Sequence, residues 1–164
     1  AALATGRSEA ELARQFDTVN VCFSKGLGAP VGSALAGTRD AIARARRFRK
    51  MLGGGMRQAG ILAAGALFAL EHQRARLNLD HDAARELASI LGEQAGVRTV
   101  PPKTNIVAFS LVDRNAAGVA LRARALGVLV NATGEHSLRA VTHLDVTLEQ
   151  VKRAGERLCE AISS

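Results

Sequence analysis

Lys25 stands in a glycine-rich turn, Ser24-Lys25-Gly26-Leu27-Gly28-Ala29-Pro30, directly after an apolar alternating run. Glycines at 26, 28 and 32 permit positive φ and let backbone approach a ligand closely. A lysine held at the end of a buried strand, partly desolvated and near other cations, has its pKa lowered toward neutrality. That is the condition for Schiff-base chemistry. An ordinary turn lysine has the same spacing, so the pattern alone leaves both readings open. Gly26-x-Gly28-x-x-x-Gly32 is also a faint dinucleotide-loop pattern. A strand rather than a helix is expected after it, however, and no acidic residue closes a second strand about 20 residues on. A phosphate loop fails as well, because no Gly-Lys-Ser/Thr follows.

Other chemistry-bearing residues are sparse. Cys22 and Cys159 lie far apart without metal-ligand spacing, which suits reduced thiols in a cytoplasmic protein. His72, His81, His136 and His143 show neither i, i+4 spacing nor partner cysteines, so no metal site is expected. The net charge of +7 is concentrated in Arg39, Arg44, Arg46, Arg47, Arg49 and Lys50. Such a cluster can attract nucleic acid, hold one anionic cofactor, or form a solvated helix face. With few aromatics for stacking and no recognition motif, nucleic acid is the weakest of the three.

These residues need elements to position them. Ser8 and Glu11 form a capping-box pattern for a short helix over Arg7 to Arg14. Alternation of Val19, Val21 and Phe23 predicts a strand from Asp17 to Phe23, and Val31 to Ala36 a second. Thr38 caps a basic helix over Arg39 to Met51. After the Gly53-Gly54-Gly55 break, one long Ala- and Gly-rich helix is expected from Met56 to about Asn78, then an amphipathic helix over Leu79 to Gln94. Strands are expected at Thr104 to Leu111, Gly127 to Asn131 and Leu138 to His143. Helices are expected at Ala116 to Leu126 and, capped by Thr147, at Leu148 to Ile162. The alternation describes an α/β protein with a boundary near residue 78, 1–78 in one domain and a small α/β sandwich over 79–164. With 48% hydrophobic residues, 164 residues can bury a core. No apolar run approaches the roughly 20 residues that span a bilayer.

Three long segments follow one another in order. They are Ser24-Lys25-Gly26-Leu27-Gly28-Ala29-Pro30-Val31-Gly32-Ser33, then Arg49-Lys50-Met51-Leu52-Gly53-Gly54-Gly55-Met56-Arg57-Gln58-Ala59-Gly60, and Arg139-Ala140-Val141-Thr142-His143-Leu144-Asp145-Val146. Together with Thr104-Asn105-Ile106-Val107, the set resembles the low-specificity L-threonine aldolases along nearly the whole chain. The resemblance implies a partial pyridoxal-phosphate (PLP) transferase large domain of fold type I followed by the small domain. It implies Lys25 as the catalytic lysine bonded to PLP, and Lys50 and Arg57 near the cofactor phosphate. It implies Arg139 on the substrate carboxylate, and a homo-oligomer, dimer or tetramer, with active sites at subunit interfaces. The reaction implied is cleavage of a β-hydroxy-α-amino acid such as threonine to glycine and an aldehyde. Alternatives are another PLP lyase or transaminase of the same fold, or a catalytically incomplete piece. The family's pyridine-pairing aspartate, stacking histidine and phosphate-cradling loop are expected upstream of Ala1, so the chain reads as a C-terminal half.

Overall fold

Val19 and Cys22 are the half-buried residues of a short strand, β1 (Thr18–Cys22), which pairs antiparallel with β2 (Ser33–Gly37) from Thr18 opposite Gly37 to Cys22 opposite Ser33. The computed structural model describes all residues, 1–164, and divides into two compact units, Ala1–Leu77 and Asn78–Ser164. The first unit opens with helices α1 (Ala2–Thr5) and α2 (Glu9–Ala13). Ser8 accepts from the Glu11 amide while the Glu11 carboxylate accepts from Ser8, completing the capping box. The helix it starts is shorter than the expected Arg7 to Arg14. After β2, Thr38 caps helix α3 (Arg39–Met51) by accepting from the Ala41 amide.

The expected continuous helix from Met56 to Asn78 is not formed. Residues 56–59 are irregular, and Gln58 is held at φ 48°, a left-handed conformation that ends helical continuity. Helix α4 covers only Gly60–Phe68, followed by a π-helical turn, Ala69–Gln73. Phe68 and His72 meet edge-to-face across that turn, ring centroids 4.4 Å apart. Helix α5 (Leu77–Glu93) then begins, two residues before its expected start at Leu79.

The second unit is one helix-covered antiparallel sheet, strand order β3-β4-β6-β5. The strands are β3 (Val97–Thr99), β4 (Ile106–Leu111), β5 (Asn131–Ala132) and β6 (Ser137–Val141), with helices α6 (Ala116–Ala125) and α7 (Leu148–Ser163). Period-two alternation sends Val107, Phe109 and Leu111 of β4, and Leu138 and Ala140 of β6, into the core. Ala84, Leu87 and Leu91 of α5, Val119 and Ala123 of α6, and Val151, Leu158 and Ile162 of α7 close over them at helical spacing. Gly155 lets α7 approach α5: a Cβ there would lie 3.0 Å from Ile90 Cγ2. The expected strand at Gly127 to Asn131 shrinks to the two-residue β5. Gly127 takes φ 81° and the Val128 amide donates back to Ala123, so the chain is still leaving α6 at those positions. Strand β3 was not anticipated, being too short to show alternation. No helix is long and apolar enough to cross a membrane.

Leu158 is fully buried in this core, whereas Leu52 is 86% exposed. Leu158→Ala is expected to destabilise the second unit by about 2–5 kcal/mol, read from the urea midpoint. Leu52→Ala should leave that midpoint where it is.

Candidate functional site

Lys25 hangs from the connection between β1 and β2, and backbone bonds lock that connection. The Phe23 amide donates to Gly32 O at 2.9 Å, the Ala29 amide to Phe23 O at 2.9 Å, and the Gly28 amide to Lys25 O at 2.8 Å. Gly28 at φ 72° and Gly32 at φ 110° supply the left-handed positions that this path requires. Ala29 is buried, and Gly65 of α4 comes so near the turn that a Cβ there would meet Pro30 Cδ at 3.1 Å. The small residues of α4 thus allow the helix to lie against the lysine turn. Beneath Gly26, Arg76 donates from Nη2 to the Gly26 carbonyl at 3.0 Å, and a Cβ on Gly26 would stand 2.8 Å from Leu77 Cδ2.

The Lys25 side chain itself is exposed. The partial desolvation expected from the sequence is not supplied by this chain, because β1 and β2 on either side of the turn are mostly open to solvent. Lys50 lies in the last turn of α3, and Arg57 in the irregular segment before α4 rather than within a helix; both are exposed. Neither contacts the other or Lys25 through a hydrogen bond. Arg139 belongs to the second unit. It sits in β6 opposite Ala108 of β4 and Asn131 of β5, on the sheet face that the helices leave open. The end of its strand is pinned: the Thr142 amide donates to Asn105 O at 3.0 Å, Asn105 Nδ2 donates to Thr142 O at 2.8 Å, and the Thr142 hydroxyl donates to Asp80 O at 2.6 Å. Asn105 therefore orders the strand, in keeping with a structural role.

Lys25, Lys50, Arg57 and Arg139, like most cations of the chain, are not paired with a carboxylate. A primary amine on a rigid turn suits an aldehyde cofactor, and uncommitted cations suit its phosphate and a substrate carboxylate. Within the first unit, the amine of Lys25 and the cations Lys50 and Arg57 therefore fit the aldehyde and phosphate of PLP chemically. The histidines are engaged locally instead. His136 Nδ1 lies 2.8 Å from Arg114 O, His143 Nδ1 accepts from the Asp145 amide at 3.3 Å, and burial pushes the His81 imidazole pKa down. A cavity of about 550 Å³ in the second unit is lined by Val128, Ala140, Val151 and Leu158 with Arg153 and Arg157, and Arg139 is not among its walls.

The sequence model of the beta-eliminating lyases matches residues 1–114. The chain belongs to the beta-eliminating lyase family. Within it, the chain is 46% identical over 151 residues to the low-specificity L-threonine aldolase of Escherichia coli K12, covering 92% of this chain and 44% of that protein. It is 38% identical over 160 residues to low-specificity L-threonine aldolase 1 of Arabidopsis thaliana, with the same coverages of 92% and 44%. The chain thus spans less than half the length of these curated relatives. Among solved structures, a Listeria monocytogenes protein assigned as an L-allo-threonine aldolase superposes with a TM-score of 0.78 at 21% identity, over 98% of this chain and 48% of that one. The α-aminoadipate aminotransferase of Thermus thermophilus, solved with phosphopyridoxyl-leucine, gives 0.66 at 22% identity, over 95% and 45%. This lyase-family chain shares the fold of about half of each of these structures.

Two features of the site were not read from the sequence. The Arg76 contact to Gly26 joins residues 50 positions apart, and no local pattern announces it. The Cys22 thiol lies 3.6 Å from Ser24 Oγ, and hydrogen bonding by Ser24 pulls its pKa below the usual value; burial pushes Cys159 the other way. Because the thiolate is the nucleophile, Cys22 should alkylate faster than Cys159 near pH 8. Ser24→Ala should narrow the gap, as followed by iodoacetamide labelling and peptide mass spectrometry.

Proposed function

We propose that the protein of which this chain is a part is a PLP-dependent aldolase. It cleaves L-threonine or allo-threonine-type β-hydroxy-α-amino acids to glycine and an aldehyde, with Lys25 as its cofactor lysine. The observation that carries the reading is the locked glycine turn that presents Lys25 as a free, exposed amine. It stands in a chain 38–47% identical to proteins named threonine aldolases. The curated relatives compared above, at 38–46% identity, are named threonine aldolases and not transaminases, which favours an aldolase.

In this reading Lys25 holds the cofactor covalently, while Lys50 and Arg57 hold its phosphate. A dianion is costly to bury without such partners. PLP, when bound, supplies the electron sink for breaking the Cα–Cβ bond. Arg139, a planar and always-charged donor on the open sheet face, grips the substrate carboxylate in a bidentate fashion and so sets how the amino acid is presented. The β-hydroxyl proton must leave as the aldehyde carbonyl forms, and Cα must gain a proton to give glycine. No side chain on the Lys25 turn or beside Arg139 on its sheet face is a ready base for the first of these, so we assign that proton to a group from the rest of the protein or to water. We further infer a homo-oligomer, dimer or tetramer, with active sites at subunit interfaces. Exposed Val31, Met51, Leu52, Met56 and Ile61 on the first unit support it, since such apolar surface is normally covered. A cytoplasmic location rests on two free cysteines.

Borohydride treatment of the full-length protein with PLP is expected to attach cofactor to Lys25, located by peptide mass spectrometry, and Lys25→Ala should abolish it. A reducible adduct that survives in Lys25→Ala would overturn the assignment. Arg139→Ala is expected to raise the threonine KM on the order of ten- to a hundred-fold, the loss of a charge-assisted hydrogen bond, while PLP affinity stays unchanged. Equal loss of both would make Arg139 structural.

A further inference from the structure

The role proposed for Lys25 demands more of its turn than the turn's own hydrogen bonds provide. Residue 26, next to the lysine, is glycine, the residue with the most backbone freedom. Packing bears on this position as well. Leu77 presses so closely that a Cβ at position 26 would sit 2.8 Å from Leu77 Cδ2, closer than nonbonded carbons approach. Leaving out the Cβ admits Leu77 but also frees the peptide that carries the lysine. Arg76 restores the lost restraint, since its Nη2 donates at 3.0 Å to the Gly26 carbonyl from a part-buried position. A hydrogen bond from a charged donor is among the stronger kinds, and partial burial shields it from competing water.

The path of the chain accounts for this reach. Arg76 and Leu77 follow the π-helical turn Ala69–Gln73. Residues 74–76 form a non-helical link between that turn and α5, and Arg76 reaches the Gly26 carbonyl from it. Arg74, in the same stretch, reaches Glu9 at 2.6 Å, so consecutive even-numbered arginines grip two different parts of the first unit. π-turns recur at functional sites, and here the turn directly precedes the residues that seat the lysine turn.

We propose that Arg76 and Leu77 are a positioning pair for Lys25. Leu77 packs under Gly26 and Arg76 fixes the Gly26 carbonyl, so that the Lys25 amine leaves the turn in one direction. Neither touches cofactor or substrate. They act through the backbone of residues 25 and 26. This rests on the function proposed above, and the experiment separates the two.

The test uses the full-length protein and follows the rate at which Lys25 captures PLP, trapped with borohydride and located by peptide mass spectrometry. Thermal melting runs in parallel. Arg76→Met is expected to slow capture at Lys25 on the order of ten- to a hundred-fold, the usual cost of a displacement near 1 Å, and Arg76→Lys, which keeps one donor, to recover part of it. Gly26→Ala should slow capture as well, and adding Leu77→Ala should restore it by making room for the new methyl group. Capture at the wild-type rate in Arg76→Met, or in Gly26→Ala, would overturn the proposal. If Arg76→Met fails to fold, the Gly26→Ala variant and its rescue by Leu77→Ala decide; absence of rescue counts against it. Failure of the wild-type protein to form an adduct at Lys25 would instead refute the cofactor role itself.

Discussion

A lysine side chain is long and flexible, so it can be delivered to one place only if the peptide it hangs from is held still. In the first unit that constraint is met by the connection between β1 and β2. The Phe23–Gly32, Ala29–Phe23 and Gly28–Lys25 backbone bonds leave the turn a single path, and two glycines at positive φ make that path possible. Neighbouring elements are shaped to the turn. Gly65 gives way to Pro30, Leu77 fills the space beneath Gly26, and Arg76 takes up the Gly26 carbonyl. The cost is visible in composition: Gly65, inside α4, gives up about 1 kcal/mol relative to alanine. Close approach to the turn is what the glycine at 65 gains in return.

The second unit solves a different problem by different means. Its sheet closes one face with helices and leaves the other open, so residues two apart along β6 share a fate. Leu138 and Ala140 are core, while Arg139 between them is exposed. An arginine on a strand within such a sheet is aimed by the pleat, which is stiffer than a loop. Anchoring of Thr142 to Asn105 and Asp80 extends that stiffness past the end of the strand. The buried core and the exposed Arg139 thus occupy opposite faces of one sheet, and a substitution on one face need not disturb the other.

The charge of the chain acquires a meaning in this setting. Several of its ion pairs are exposed, such as Arg85 with Asp82 within α5 or Lys152 of α7 with Glu86 of α5, and contribute little to stability. The cations singled out at Lys25, Lys50, Arg57 and Arg139 are bound to no carboxylate.

Local order was legible in the sequence wherever its cause was local. The caps at Ser8, Thr38 and Thr147 depend on residues within one helical turn and lie where their side chains predict. The alternation of β4 and β6 likewise follows from period-two burial. The ordered motifs were enough to indicate the family, because they carry whole segments rather than single residues. What failed had non-local causes. The stretch from 56 to 78 is rich in helix-compatible residues, and nothing in its composition marks Gln58 at positive φ or a π-turn at Ala69–Gln73. Gly127 to Asn131 has strand composition, but the exit from α6 and the length of β6 decide that only Asn131–Ala132 pairs. The exposure of Lys25, and the grip of Arg76 on the peptide beside it, belong to tertiary structure alone: burial and contacts across fifty residues depend on where other segments pack, which no local pattern encodes.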